Sequence, residues 1–200
     1  MLKTINRDII LNIANIFMDR DKIYTALKKI TPSYLWARPT TRFILYKYRM
    51  KNMIVAEVGV DYGINAKNML KLLPIKKIYL IDPYELKLDN VPGDIRFKKA
   101  KKFLSKYKRK IVFIRKNSFE AVKDIPNNLD FIYLDGSHTY EDVKKDIELY
   151  YPKVRKGGIL GGHDFWVSQI GICKAVLEFV EYNKLRLNGE LTDWWIIKEK

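Results

Sequence analysis

At 200 residues the chain is long enough for one domain with a small extension. Its hydrophobic content of 48% supports a packed core and excludes a disordered chain. A net charge of +15 favours anionic partners such as nucleic acid or phosphorylated metabolites, or else marks a lysine-rich solvated surface. No apolar run reaches the ~18–20 residues that a bilayer span needs. The N-terminal apolar stretch is broken by Asn12, Asn15 and Asp19, which argues against a secretory signal, so no membrane partner and a cytoplasmic location are expected. The lone Cys173 excludes a disulfide framework and a cysteine-built zinc centre. Its apolar row with Ile170, Val176, Leu177 and Val180 makes it a buried structural thiol.

In chain order, the first fifty residues are helical in pattern. Ile9, Ile10, Ile13, Ala14 and Phe17 form one stripe, and Ile23, Tyr24, Leu27 and Ile30 form another, ended by Pro32. Trp36 to Pro39 reads as a loop. Thr40 or Thr41 would cap a third helix carrying Phe43, Ile44 and Tyr48. Near Lys51 the rhythm changes. Short apolar runs at 53–58, 78–81, 111–114, 129–134 and 158–160 alternate with amphipathic helices beginning near Gly63, Ile95, Ser118, Thr139 and Ser168. Apolar strands that do not alternate, separated by helices, predict a parallel sheet covered on both faces. Two further strands, 185–187 and 191–197, would form a closing hairpin through Asn188-Gly189. The expected architecture is α/β, a doubly wound, mainly parallel seven-stranded sheet with a C-terminal antiparallel hairpin. An N-terminal helical extension (1–50) would precede a ligand-binding domain (51–200). The basic stretch 96–116 places Ala100, Phe103, Leu104 and Tyr107 at helical spacing, so its lysines read first as a wet helix face and second as a nucleic-acid site.

The polar motifs follow predicted strands, where doubly wound sheets bind ligands. After the first strand, Glu57-Val58-Gly59-Val60-Asp61-Tyr62-Gly63 opens a helix. Its glycines permit a tight turn and close backbone approach, and the helix start directs free N–H groups at an anion. The spacing G-x-x-x-G departs from the dinucleotide pattern. After the second strand, Asp82-Pro83 either presents a carboxylate to the hydroxyls of a ribose or opens a turn. After the third, Asn117-Ser118 either meets a base edge or caps a helix. The fourth and fifth strands run into Asp135-Gly136-Ser137-His138 and His163-Asp164, which hold both histidines of the chain, each near a carboxylate. Such groups suit a divalent ion of the magnesium or manganese kind, the alternative being helix caps with ordinary polar histidines.

With these motifs in place, residues 53–165 resemble the class I S-adenosylmethionine-dependent methyltransferases, whose sheet is Rossmann-like, and most of all the macrocin-type O-methyltransferases acting on sugars and other small hydroxylated molecules. Glu57-x-Gly59-x-x-x-Gly63, Ile81-Asp82, the stretch from Asp130 to Glu141 and that from Pro152 to Asp164 carry the likeness. The resemblance implies that Glu57, Gly59 and Gly63 lie along the methionine part of the cofactor, with Asp61 also among the cofactor-binding residues. Asp82 would bind the ribose, Asn117 and Ser118 would flank the adenine, and Asp135 would border the same ligand. Asp135, His163 and Asp164 would hold a metal, although His163 stands where an acidic ligand is commoner. His138 would act as base beside Asp135. The N-terminal helices would cap the acceptor pocket or form a homodimer contact. A nucleic-acid (RNA) methyltransferase and a non-catalytic adenosyl-ligand-binding module are the alternatives.

Overall fold

The computed structural model describes residues 37–48, 50–85 and 90–199. The chain divides into two compact units, Met1–Ala37 and Arg38–Lys200. The second holds the sheet and its helices. The two expected N-terminal stripes and Trp36 lie outside the described residues.

The second unit opens with helix α1 (Pro39–Lys47), which has Arg38 at its N-cap and proline at its start, where the missing N–H costs nothing. Thr40, expected as the cap, is instead a buried helical residue. Its N–H and its hydroxyl both donate to the Asp193 carboxylate, at 3.1 and 2.8 Å. Then follow β1 (Met53–Val58), α2 (Ile64–Leu72), β2 (Ile75–Ile81), α3 (Gly93–Phe103), β3 (Ile111–Ile114), α4 (Ser118–Ala121), β4 (Leu129–Leu134), α5 (Tyr140–Tyr150), β5 (Val154–Gly162), α6 (Ile170–Tyr182), β6 (Leu187–Glu190) and β7 (Asp193–Ile197). The sheet has seven strands in the order β3-β2-β1-β4-β5-β7-β6. Its first five neighbours are parallel, while β7 runs antiparallel to both β5 and β6. Strand order therefore reverses between β1 and β4, which places the ligand crevice of this fold there.

The sheet is buried on both faces because its strands alternate two sets of apolar side chains. Ala56, Val58, Ile132, Leu134 and Leu160 face Val143, Ile147, Ile172 and Val176 of α5 and α6. Val55, Leu80, Phe131, Tyr133 and Ile159 face Ala66, Met69, Ala100 and Leu104 on the other side. Expected strands 78–81 and 158–160 extend to Ile75–Ile81 and Val154–Gly162, and the helix expected near Ile95 starts at Gly93.

Three expectations are corrected. The hairpin turns at Leu191-Thr192, and Asn188-Gly189 pairs inside β6 with Trp195 and Trp194. Register is set by burial: this turn brings Trp194 and Trp195 opposite Gly162 and Gly161 of β5, and Gly162 leaves room for the Trp194 indole. Cys173 is half-buried, because the inner face of α6 runs through Ile172, Ala175 and Val176 while Ile170 and Leu177 are exposed. Arg96 does not belong to the wet face of α3. It is 2% exposed and pairs with Asp61 at 2.9 Å. No helix among the described residues is long and apolar enough to cross a membrane.

The turn after β1 is closely packed. Gly59 has φ +82°, and a Cβ there would stand 1.9 Å from the Asp135 carbonyl oxygen. Gly59→Ala should therefore lower the unfolding free energy by about 1–3 kcal/mol or more. Gly136→Ala, whose Cβ first meets the Val58 side chain at 3.3 Å, should lose less than half as much in the same urea titration.

Candidate functional site

The loop leaving β1 is held by carboxylates. Asp82, at the end of β2, accepts the N–H groups of Val60 (3.1 Å), Asp61 (2.9 Å) and Tyr84 (2.8 Å). Three amide N–H groups converging on one carboxylate fix the turn. Asp61 sits at φ +46°. Its carboxylate faces Arg96, and its carbonyl accepts the Tyr84 hydroxyl at 2.8 Å. Gly63, at φ +76°, caps α2 without a side-chain partner. Glu57 is 1% exposed at the end of β1. One of its oxygens accepts from the Asn65 amide at 2.9 Å, while Oε2 and the Asn65 Oδ1 have no hydrogen-bond partner. Burial pushes the Glu57 carboxyl up to about 8. A buried acid with an unsatisfied oxygen beside a turn of this kind awaits a donor.

Asn117 and Ser118 follow β3, on the far side of β2 from β1. Asn117, rather than Ser118, is the helix cap, and its Oδ1 accepts the Glu120 N–H at 2.9 Å.

The second cluster lies where β4 and β5 end side by side, Leu134 pairing with Gly162. Asp135, His138 and Asp164 each place one potential ligand atom within 4.8 Å of the others. His138 Nε2 is 3.2 Å from Asp164 Oδ2. His163 stands just outside this group with both ring nitrogens engaged: Nδ1 lies 2.8 Å from Asp164 Oδ1, and Nε2 lies 2.8 Å from the Thr192 hydroxyl. Asp135 Oδ1 is 3.7 Å from His163 Nδ1. The structure thus brings together all four residues expected there, but it puts His138 in the potential ligand set and His163 behind it as a brace. Asp164 holds φ +57°, so the chain turns sharply as it leaves β5. Burial pushes the Asp135 carboxyl up, opposed by Arg38 and then His163.

Three contributors were not foreseen. Arg38 reaches across from the start of α1, its guanidinium donating to Asp135 Oδ2 at 3.3 Å. Asp193, 1% exposed, binds Thr40 and the Tyr133 hydroxyl (3.0 Å), which docks α1 and β7 beside the site. Asp146 of α5 lines a cavity of about 20 Å³ together with Asp135, His138, His163 and Asp164. That is room for about one water. Its Oδ1 has no partner, and burial raises it to about 6. A signal for Asp146 existed, an acid on the helix face that also carries Val143, Ile147 and Tyr150. Nothing in the sequence marked Arg38.

Comparison with known proteins fits this geometry. Over 132 residues the chain is 25% identical to the uncharacterized protein R132 of Acanthamoeba polyphaga mimivirus, a match that spans 62% of this chain and only 58% of that relative. Among solved structures, an rRNA methylase from Streptococcus thermophilus superposes with a TM-score of 0.61 at 15% identity, covering 86% of this chain and 99% of the other. A SAM-dependent O-methyltransferase from Thermotoga maritima gives 0.60 at 12% identity, covering 82% and 66%. These likenesses show the fold. Residues 56–165, more than half of the chain and spanning both clusters, match the family described as a methyltransferase domain. The chain belongs to that family, and its fold is that of the class I S-adenosylmethionine-dependent methyltransferases.

Proposed function

We propose that the chain transfers the methyl group of S-adenosylmethionine to a hydroxyl of a small acceptor such as a sugar, at the cluster of Asp135, His138 and Asp164. The observation that carries this reading is the adjacency of the two half-sites. Gly59, in the turn that would hold the cofactor, packs on the backbone of Asp135, which opens the acceptor side. The cofactor, when bound, supplies an activated methyl on a sulfonium. The protein must align the acceptor and remove its proton. Glu57 accepts the ammonium of the cofactor's amino-acid end through its unpartnered Oε2. Asp82 shapes the turn through its three amide bonds and has accepting capacity left for a ribose hydroxyl. Beyond Asp164 the chain exposes Trp166 (50%) and Val167 (85%), an apolar platform on which the face of a sugar ring can rest.

The residues present also fit a divalent cation. Two carboxylates and an imidazole within 4.8 Å form a donor set of the kind such an ion takes, and a half-buried acid pair gains from a cation between its members. Asp135, His138 and Asp164 would hold magnesium or manganese, which would supply Lewis acidity toward the acceptor hydroxyl. In the absence of a metal, His138 has one nitrogen against Asp164 and the other free to take the hydroxyl proton, with Asp164 compensating the charge.

A second reading, methylation of RNA, rests on the basic face. Lys98, Lys99, Lys101, Lys102, Lys106, Lys108 and Arg109 are all exposed along α3 and the turn after it. The small-acceptor reading is favoured because this face lies on the β2–β3 side of the sheet, away from the Asp135 cluster.

Three outcomes are expected. Chelation should abolish turnover, manganese should restore it, and binding of S-adenosylhomocysteine should survive. Undiminished turnover in chelator would leave His138 as base and dismiss the metal. Affinity for S-adenosylhomocysteine should rise severalfold as pH climbs from about 6 toward 8, because protonated Glu57 cannot accept an ammonium. Glu57→Gln should flatten that profile in calorimetric titration. The same burial takes stability from the ligand-free protein over that window, since a raised carboxyl favours folding only while it is protonated. Any RNA binding should collapse between ~50 and ~200 mM salt. Sequence-selective binding that persists at the higher salt would transfer the preference to the RNA reading.

A further inference from the structure

We infer that Arg38 holds the carboxylate of the cofactor's amino-acid end, across the β1–β4 crevice from Glu57. The inference rests on the cofactor reading above and adds to it a residue before the family match, which begins at residue 56.

Arg38 is placed for this by its own helix. It is the N-cap of α1, and α1 is pinned by Thr40 on the buried Asp193, so the guanidinium is carried on a rigid element. From there it reaches the crevice where strand order reverses. It touches Asp135 at the end of β4, and its charge acts on Glu57 at the end of β1. Tyr133, Asp135, Asp193 and Asp164 surround it electrostatically. Its bond to Asp135 is long at 3.3 Å and uses one N–H of the five that a guanidinium offers. The side chain keeps 33% of its surface open. A guanidinium with spare donors, held in a crevice and partly open to solvent, is suited to bidentate recognition of a carboxylate.

The end of β1 and the start of α2 supply the complement. Glu57 Oε2 and Asn65 Oδ1 are buried acceptors without partners. Acceptors on one side and a planar cation on the other match an α-amino acid group, which presents an ammonium and a carboxylate on the same carbon. A neutral ligand or a simple phosphate would satisfy one wall and leave the other unpaired. The pairing also relieves Asp135. A ligand carboxylate draws Arg38 away and frees Oδ2 to face the acceptor side.

The test compares three ligands by calorimetry on the full chain. These are S-adenosylhomocysteine, its decarboxylated analogue, and 5′-methylthioadenosine, which lacks the amino-acid end. The wild type should prefer S-adenosylhomocysteine over the decarboxylated analogue by on the order of tenfold or more, the scale of a charge-assisted hydrogen bond. Arg38→Met should erase that preference while 5′-methylthioadenosine binds as before, and Arg38→Lys should recover part of it. Equal binding of the first two ligands by the wild type would overturn the inference, as would a preference that survives in Arg38→Met. Failure of the wild type to bind either S-adenosylhomocysteine or 5′-methylthioadenosine would instead bring down the cofactor reading, and the inference with it.

Discussion

A Cβ on Gly59 would stand 1.9 Å from the Asp135 carbonyl oxygen, so the turn after β1 lies directly on the backbone that leaves β4. Only glycine meets both demands there, a positive φ and no side chain. The consequence reaches well beyond one contact. β1 and β4 are neighbours at the reversal of strand order, and each ends in a polar loop. A larger residue at 59 would require the two loops to shift apart. The amide of Asp135 bonds the Val58 carbonyl at 2.8 Å, which ties the loops a second time.

The crevice concentrates negative charge on a chain whose net charge is +15. Glu57, Asp135, Asp164 and Asp193 all lie at the carboxyl ends of β1, β4 and β5 or at the start of β7. Each acid is managed differently. Asp193 accepts hydrogen bonds from Thr40 and Tyr133. Asp164 is flanked by two imidazoles. Asp135 has Arg38 on one oxygen and His163 near the other. Glu57 has one neutral donor, the Asn65 amide, and burial keeps its proton on to about 8. The hairpin takes part in this arrangement, because Thr192 in its turn fixes the far nitrogen of His163. A turn at Asn188-Gly189 would have carried that hydroxyl elsewhere.

Much of this was readable in the chain, since the signals involved are local. A strand covered on both faces is apolar along most of its length, and 53–58, 111–114 and 129–134 were found with their observed limits for that reason. The site motifs were visible because a parallel sheet gathers its functional groups at strand ends. The failures came from long-range terms. The hairpin's turn was misplaced because Asn-Gly is a strong local signal, while the indoles opposite Gly161 and Gly162 set the register. Arg38 carried no signal because its partner Asp135 lies 97 residues away. The division of labour between His138 and His163 was hidden too. It depends on Thr192, a hairpin residue, and on the sharp turn at Asp164.

The sign of the charge in the crevice bears on turnover. On the proposed reading the incoming cofactor carries a sulfonium cation, and the departing product carries a neutral thioether. An acid-lined crevice of low dielectric discriminates between the two, since a unit charge near a carboxylate interacts more strongly there than in water. The amino-acid end, read by Glu57 and Arg38, is identical in donor and product and so contributes equal binding to both. Interactions shared in that way anchor the ligand without helping the reaction or the exchange. Discrimination must then come from the carboxylates nearest the sulfur, and Asp135 is the one placed between the cofactor turn and the acceptor cluster. Loss of the sulfonium charge on methyl transfer removes that attraction while the Glu57 and Arg38 contacts persist, which favours release of product over release of unreacted donor.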